Sequence, residues 1–129
     1  MKLAPSADHD GFPAGLLAAG NPVDAGEWLS QQDGVARTLG ELPREASRRL
    51  VDGFTKAGAV VFAVKVKRSI RGGLDADEVR ENTGHLVVQL PSEPALRAKV
   101  FRLGARHSKR LGFDPTGDSG QRLLYVKLD

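Results

Sequence analysis

Three short alternating segments, Ala59 to Lys67, His85 to Leu90 and Arg122 to Leu128, limit most strongly what this chain can fold into. A period of two places successive side chains on opposite faces of an extended strand. In the first segment Val60, Phe62, Val64 and Val66 share one face, expected to meet the core. Val61, Ala63, Lys65 and Lys67 share the other, which turns basic and should end in solvent. Leu86, Val88 and Leu90 are inward in the second segment, with His85, Val87 and Gln89 on the reverse. Leu124, Val126 and Leu128 are inward in the third, opposite Leu123, Tyr125 and Lys127.

Two amphipathic helices separate these strands. Leu39, Leu42, Ala46, Leu50, Phe54 and Ala57 recur at steps of three and four, predicting a helix from Pro43 to Ala57. Pro43 suits its first turn and Gly58 its C-terminal cap. Thr38 to Glu41 offers a competing capping-box start, and the proline is preferred. A second helix opens at Ser92-Glu93-Pro94 and runs to Leu111, with Gly112 closing it. Between the first two strands, Arg68 to Thr83 reads as a long connection hinged at Gly72-Gly73. Asp75 to Asn82 within it is expected to make one or two helical turns.

The order is therefore α-β-β-α-β. It predicts a two-layer α+β sandwich related to the ferredoxin-like arrangement, with a small, mainly antiparallel sheet and both helices on one face. Should the second and third strands lie parallel, their crossover is expected to be right-handed. Residues 38–129 form the single domain in this reading. Residues 1–37 read as a weakly ordered, extended N-terminal segment, because Pro5, Pro13 and Pro22 interrupt a run of glycines. Trp28, the sole tryptophan, is expected to dock onto the domain together with Leu29.

Composition removes several functions. With no cysteine among 129 residues there is no disulfide framework, thiolate metal site or cysteine nucleophile. Aromatics make up only 5 %, too few for a base-stacking surface. No run approaches the roughly 20 apolar residues that cross a bilayer, and the start lacks a signal-peptide pattern, so a cytoplasmic protein is expected. The formal charge of +3, from 19 basic and 16 acidic residues, does not by itself imply a polyanionic partner.

Where the charges fall says more. On the second helix Leu96, Val100, Leu103, His107 and Leu111 form one stripe, and Lys99, Arg102, Arg106, Lys109 and Arg110 the neighbouring one. That stripe reads either as a phosphate-tracking face or as a solvated surface whose aliphatic stems cover the core edge. The solvated reading is preferred, since any surface helix is amphipathic. A second cluster, Lys65, Lys67, Arg68 and Arg71, closes the first strand, and sequence alone does not place the two together.

Catalytic patterns are missing. No serine stands in a Gly-x-Ser-x-Gly context, no carboxylates are paired by spacing, and no cofactor-binding pattern occurs. His107 reads as a core-edge histidine, His85 lacks a paired carboxylate, and His9 between Asp8 and Asp10 lacks distant ligands. The loop from Asp114 to Gln121 begins like a calcium loop, but its glycine falls one place late and Tyr125 stands where the bidentate glutamate belongs.

His85-Leu86-Val87-Val88-Gln89-Leu90-Pro91, the basic helix, Gly112-Phe113-Asp114-Pro115-Thr116 and Asp118-Ser119-Gly120-Gln121-Arg122 together resemble small uncharacterised bacterial α+β proteins, over residues 40–129. The resemblance implies no activity. It marks the Asp-x-Gly-Gln turn before the last strand as a recurring feature, either a crossover requirement or a binding loop.

Three functions are compatible with these features. The preferred one is a non-enzymatic interaction domain, binding a protein partner or a second copy through a sheet edge or the face opposite the helices. The second is nucleic-acid binding by Lys99, Arg102, Arg106, Lys109 and Arg110, helped by Lys65, Lys67 and Arg68. The third is an enzyme acting on an anionic small molecule near Asp114, Asp118, Gln121 and Arg122.

Overall fold

The computed structural model describes residues 5–31, 35–64, 67–70, 79–113 and 116–128, with backbone alone for 5–10, 67–70 and 79–80. Helices α1 (Pro5–Ala19), α2 (Ala25–Ser30), α3 (Arg44–Lys56) and α4 (Pro94–Arg110) accompany seven strands, β1 (Val23–Asp24), β2 (Val35–Leu39), β3 (Val60–Val64), β4 (Lys67–Ile70), β5 (Val79–Thr83), β6 (His85–Gln89) and β7 (Leu123–Lys127). The fold is α+β. One sheet, in the order β1-β3-β6-β7, is antiparallel throughout; the other, β2-β5-β4, joins β2 and β5 in parallel and β4 to β5 antiparallel.

Both long amphipathic helices end by the same device. At α3, Ala59 N–H donates to Phe54 O at 3.1 Å and Gly58 N–H to Thr55 O at 2.9 Å, with Gly58 at φ +89°. At α4, Phe113 N–H donates to Ser108 O at 2.8 Å and Gly112 N–H to Lys109 O at 3.1 Å, with Gly112 at φ +84°. These pairs satisfy the last carbonyls through a residue in the left-handed region, which glycine adopts without strain. Pro43 stands at the N-cap position just before α3, with no side-chain cap hydrogen bond, rather than in the first turn. At α4 the cap is Glu93 with Pro94 behind it, and no side chain, Ser92 included, bonds the first turn.

The main core lies between the large sheet and helices α2, α3 and α4. Leu86 and Val88 of β6, Leu124 and Val126 of β7, and Leu128 beyond it enter this core with Phe54, Val51, Val100, Trp28 and Leu29. The expectation for β3 is reversed. Val61 and Ala63 face the core, whereas Phe62 and Val64 face the opposite side and Val60 is 42 % exposed. That opposite side is covered by α1: Leu16, Leu17, Val64, Val87 and Phe62 form a second apolar cluster with Leu123 and Tyr125. A strand buried on both faces reads as a continuous apolar run, so its period does not say which face is inner.

Three other expectations are corrected. Helices occupy both faces of the large sheet, not one. Residues 5–31 carry two helices and a short strand rather than an extended segment. Val79–Thr83 is a strand, so no helical turn forms over the end of the Asp75–Asn82 stretch; its start and the Gly72-Gly73 hinge lie outside the described residues. Strands β6 and β7, joined through α4, pair antiparallel, in keeping with the mainly antiparallel sheet expected, so the condition for a right-handed crossover does not arise.

The antiparallel pairing requires the chain to travel back along α4 before β7 begins. Residues 111–113 and 116–122 lie along this return. Phe113 lies under the Lys127 ammonium, 5.0 Å from its ring centroid, at one end. Arg97 in the first turn of α4 holds the other end, as described below.

The two sheets meet where β5 passes into β6. The Thr83 hydroxyl donates to Val64 O and accepts from His85 N–H at 3.1 Å. Gly40 N–H donates to Thr83 O at 2.7 Å, and Leu128 N–H to Gly84 O at 2.8 Å. Gly40 sits at φ +56°, and a Cβ there would fall on the Leu128 carbonyl. Gly40→Ala is therefore expected to destabilise the protein by about 2–4 kcal/mol. Gly117→Ala, with open space around it, should shift stability by no more than about 0.5 kcal/mol. Urea unfolding followed by Trp28 emission measures both; equal midpoints would contradict the junction's role.

Candidate nucleic-acid interface

Helices α3 and α4 pack against each other at Gly53, where Leu103 Cδ1 comes within 3.3 Å of the place a Cβ would occupy. Beside this contact a groove between the helices holds two adjoining recesses, both lined by Leu103 and Arg106. One recess, about 350 Å³, is lined by Gly53, Lys56 and Ala57 of the α3 end and by Lys99, Arg102, Leu103 and Arg106 of α4. The other, about 320 Å³, is lined by Leu42, Ala46, Arg49, Leu50, Leu103, Arg106, His107 and Arg110.

The groove thus collects Arg49, Lys56, Lys99, Arg102, Arg106 and Arg110, and no carboxylate lines either recess. Among the described residues none of the six forms an ion pair. Asp24 and Asp52 line a different recess with Arg48, Ser30 and Thr55. In the groove floor His107 is 6 % exposed, and its Nε2 is buried without a hydrogen-bond partner among the described residues. Burial holds this imidazole below its ordinary pKa, and the charge of Arg110 pushes the same way.

Four of the five basic residues expected on α4 therefore line one groove: Lys99, Arg102, Arg106 and Arg110. Lys109 is exposed and lines neither recess. Arg49 and Lys56 come from α3, which sequence reading passed over, although both lie on its polar side and are exposed. Lys65 lies outside the described residues. Lys67 and Arg68 belong to β4 of the small sheet, where only their backbone is described, with Arg68 registered against Glu81.

The loop before β7 is built differently. Asp118 Oδ1 accepts from Gly120 N–H at 3.0 Å, and Gln121 Oε1 accepts from Ser119 N–H at 2.8 Å. Gln121 Nε2 donates to Gly117 O at 3.1 Å, leaving the residue 2 % exposed. Arg97 reaches across from α4, placing Nη2 at 2.5 Å and Nε at 3.3 Å from the Asp118 carboxylate, with Nη1 donating to Gln121 O at 3.0 Å. The polar groups of the Asp-x-Gly-Gln turn are thus spent on holding the return path to the helix. A recess of about 280 Å³ meets the loop at Thr116 and Gly117 against Phe101, Arg102 and Ala105; Asp118, Gln121 and Arg122 do not line it. Asp114 lies outside the described residues.

A third polar group was missed in the sequence. Arg37 of β2 and Glu81 of β5, register partners, form a buried ion pair with Nε 2.9 Å from Oε1. The same Oε1 accepts from Trp28 Nε1–H at 3.2 Å. The cluster fastens α2 to the small sheet, and it also explains why Trp28 docks. Beneath α1, His85 Nδ1 lies 2.6 Å from the Tyr125 hydroxyl, whose ring meets Phe12 edge-on at 4.9 Å. His9 is on α1, its side chain outside those described. Among the described residues no three His, Asp or Glu gather as a metal site, and no helix is long and apolar enough to cross a membrane.

Two expectations follow. Removing one partner of the buried pair leaves a buried charge uncompensated, so Glu81→Gln should cost about 3–5 kcal/mol in urea unfolding. An unchanged midpoint would show that the pair carries no net stability. The Arg97 hydrogen bonds, then the Gly120 N–H, hold the Asp118 carboxyl below its ordinary pKa. A depressed folded-state value means that the stabilisation exists above the unfolded pKa, about 3.9, and is lost as pH falls through the folded one. An NMR titration should place the Asp118 midpoint below that figure, and Arg97→Ala should bring it back up.

Comparison with known proteins adds no relative: no family model matches the chain, and neither a curated protein nor a solved structure does.

Proposed function

We propose that the protein binds nucleic acid through the phosphate backbone, in the groove between α3 and α4. The observation that carries this reading is the collection of six cationic side chains from two helices around two adjoining recesses with no carboxylate in their lining. Each can neutralise a phosphate and release condensed counterions, and six together make affinity strongly dependent on salt. The lining holds no Phe, Tyr or Trp for base stacking and no Asn or Gln for base edges. The binding is therefore independent of base sequence.

The face opposite the main helices, one of the two surfaces proposed for a protein partner, supports that reading less, because α1 lies over it. The enzyme reading is weakened where Asp118 and Gln121 engage each other's neighbourhood and Arg97 rather than a recess.

A labelled oligonucleotide titrated at several salt concentrations tests the proposal. If about four phosphates are contacted, the log–log slope of affinity against salt should be roughly −3 to −4. Arg102→Glu combined with Arg106→Glu should weaken binding by roughly 10²-fold, whereas the same charge reversal at Arg48, on the other side of α3, should change it by no more than about threefold. Binding that ignores salt, or reversals that act equally at both places, would refute the assignment.

A further inference from the structure

Next to the groove, α4 carries a surface of another kind. Arg102 lines the groove, and it also lines the recess of about 280 Å³ that Phe101 and Ala105 form with Thr116 and Gly117. The accessible lining of that recess is almost wholly apolar and holds no carboxylate. Successive residues on a helix stand about 100° apart, so Phe101 and Ala105 lie round α4 from Lys99, Leu103 and Arg106, with Arg102 at the border.

Phe101 is half-buried against the edge of the main core, and the Arg97 guanidinium stands over it, 5.7 Å from the ring centroid. Arg97 is itself held by Asp118 and by Gln121 O, so the ring packs against a fixed neighbour. Arg97 does not line the recess, which therefore meets a different part of the ring. Across from the ring the wall is the loop at Gly117, around which there is open space.

An aromatic ring accepts any base, since every base has a π face, and a cation beside the ring holds the phosphate. Phe101 and Arg102 supply that pair as adjacent residues: a phosphate on Arg102 has its own base within reach of the ring. Turning a base out of a duplex costs its stacking and pairing, whereas a single strand gives one up at little cost. We propose that the recess at Phe101 takes one base of a single-stranded nucleic acid whose phosphates lie in the groove, so that the protein prefers single strands to duplexes. The proposal rests on the nucleic-acid reading and adds to it the class of strand.

Three probes of equal length, titrated with the whole chain at several salt concentrations, test it: a single strand, a strand of the same backbone without bases, and a duplex. The two single strands should give parallel log–log lines, because the same phosphates are contacted, with the base-bearing strand roughly tenfold tighter throughout. At the highest salt, where charge counts least, the single strand should bind more tightly than the duplex. Phe101→Leu, apolar at the core edge, should cut the offset between the two lines to no more than about twofold. Ala105→Leu, which fills the recess and leaves Phe101 in place, should do the same. In the unsubstituted protein the Phe101 ring protons should shift with the base-bearing strand and stay still with the base-free one. Equal affinity for those two strands, or a duplex that binds more tightly at every salt concentration, would overturn the inference while leaving the proposed function intact. Failure of all three probes to bind would overturn both. An offset that persists in both folded variants would seat the base elsewhere and likewise overturn this assignment.

Discussion

Everything in this molecule is hung on the crossing at Thr83-Gly84, where the chain leaves one sheet and enters the other. Thr83 offers its hydroxyl to Val64 and accepts from His85, its carbonyl takes the Gly40 N–H, and the Gly84 carbonyl takes the Leu128 N–H. Ends of β2, β3, β5, β6 and β7 converge on these two residues. Buried backbone polar groups are rarely left unpaired, and here those outside the ladders find partners in one another. Gly40 leaves the room this convergence needs by its left-handed backbone beside Leu128.

From that crossing the placement of the groove follows. Strand β2 ends at Leu39, whose N–H donates to the Ser47 hydroxyl at 2.9 Å, fixing the first turns of α3. Strand β6 leads directly into α4, and Arg97 ties the returning loop to that helix so that β7 can pair beside β6. Val100 is buried in the core and Gly104 lies against Leu124, which sets the rotation of α4. That rotation puts Arg102, Arg106 and Arg110 beside α3, facing Arg49 and Lys56 across Leu103. The caps at Gly58 and Gly112 are legible in sequence because glycine answers a local backbone need.

What stayed hidden is the small sheet and the N-terminal third, and both have physical reasons. In β2 the inward positions are Arg37 and Leu39, and in β5 they include Glu81 and Thr83. A strand whose inner face is ionic has no hydrophobic alternation, and the charge that compensates Arg37 lies 44 residues away. Local pattern cannot supply that pairing. Helix α1 contains two glycines and Pro13 in its interior, which propensity reads as a break. Leu16 and Leu17, packed over Val64 and Val87, outweigh it. The same burial of the sheet's second face made β3 ambiguous and reversed its expected inner side. On α4, periodicity identified the basic stripe but not its partner, since Arg49 and Lys56 sit on α3 interspersed with Glu45 and Asp52, and only packing shows Asp52 lining a different recess.

The sorting of those acids bears on whether the stripe is merely a solvated face. A helix surface shaped by solubility alone interleaves signs, because like charges at neighbouring turns disfavour the fold and opposite ones favour it slightly. Here Arg102, Arg106 and Arg110 follow one another at steps of four, and Asp52 lies on the far side of α3 with Arg48. The lysine and arginine stems still cover Leu50, Ala57 and Leu103, as the structural reading of such side chains holds. Coverage asks only for long aliphatic stems, and glutamate or glutamine would serve it at some of these positions. Six cations without one carboxylate repel each other in the free protein. Lys56 and Arg110 recover part of that cost at the C-terminal ends of their helices, where cations complement the helix dipole, and an anion in the groove would relieve more of it.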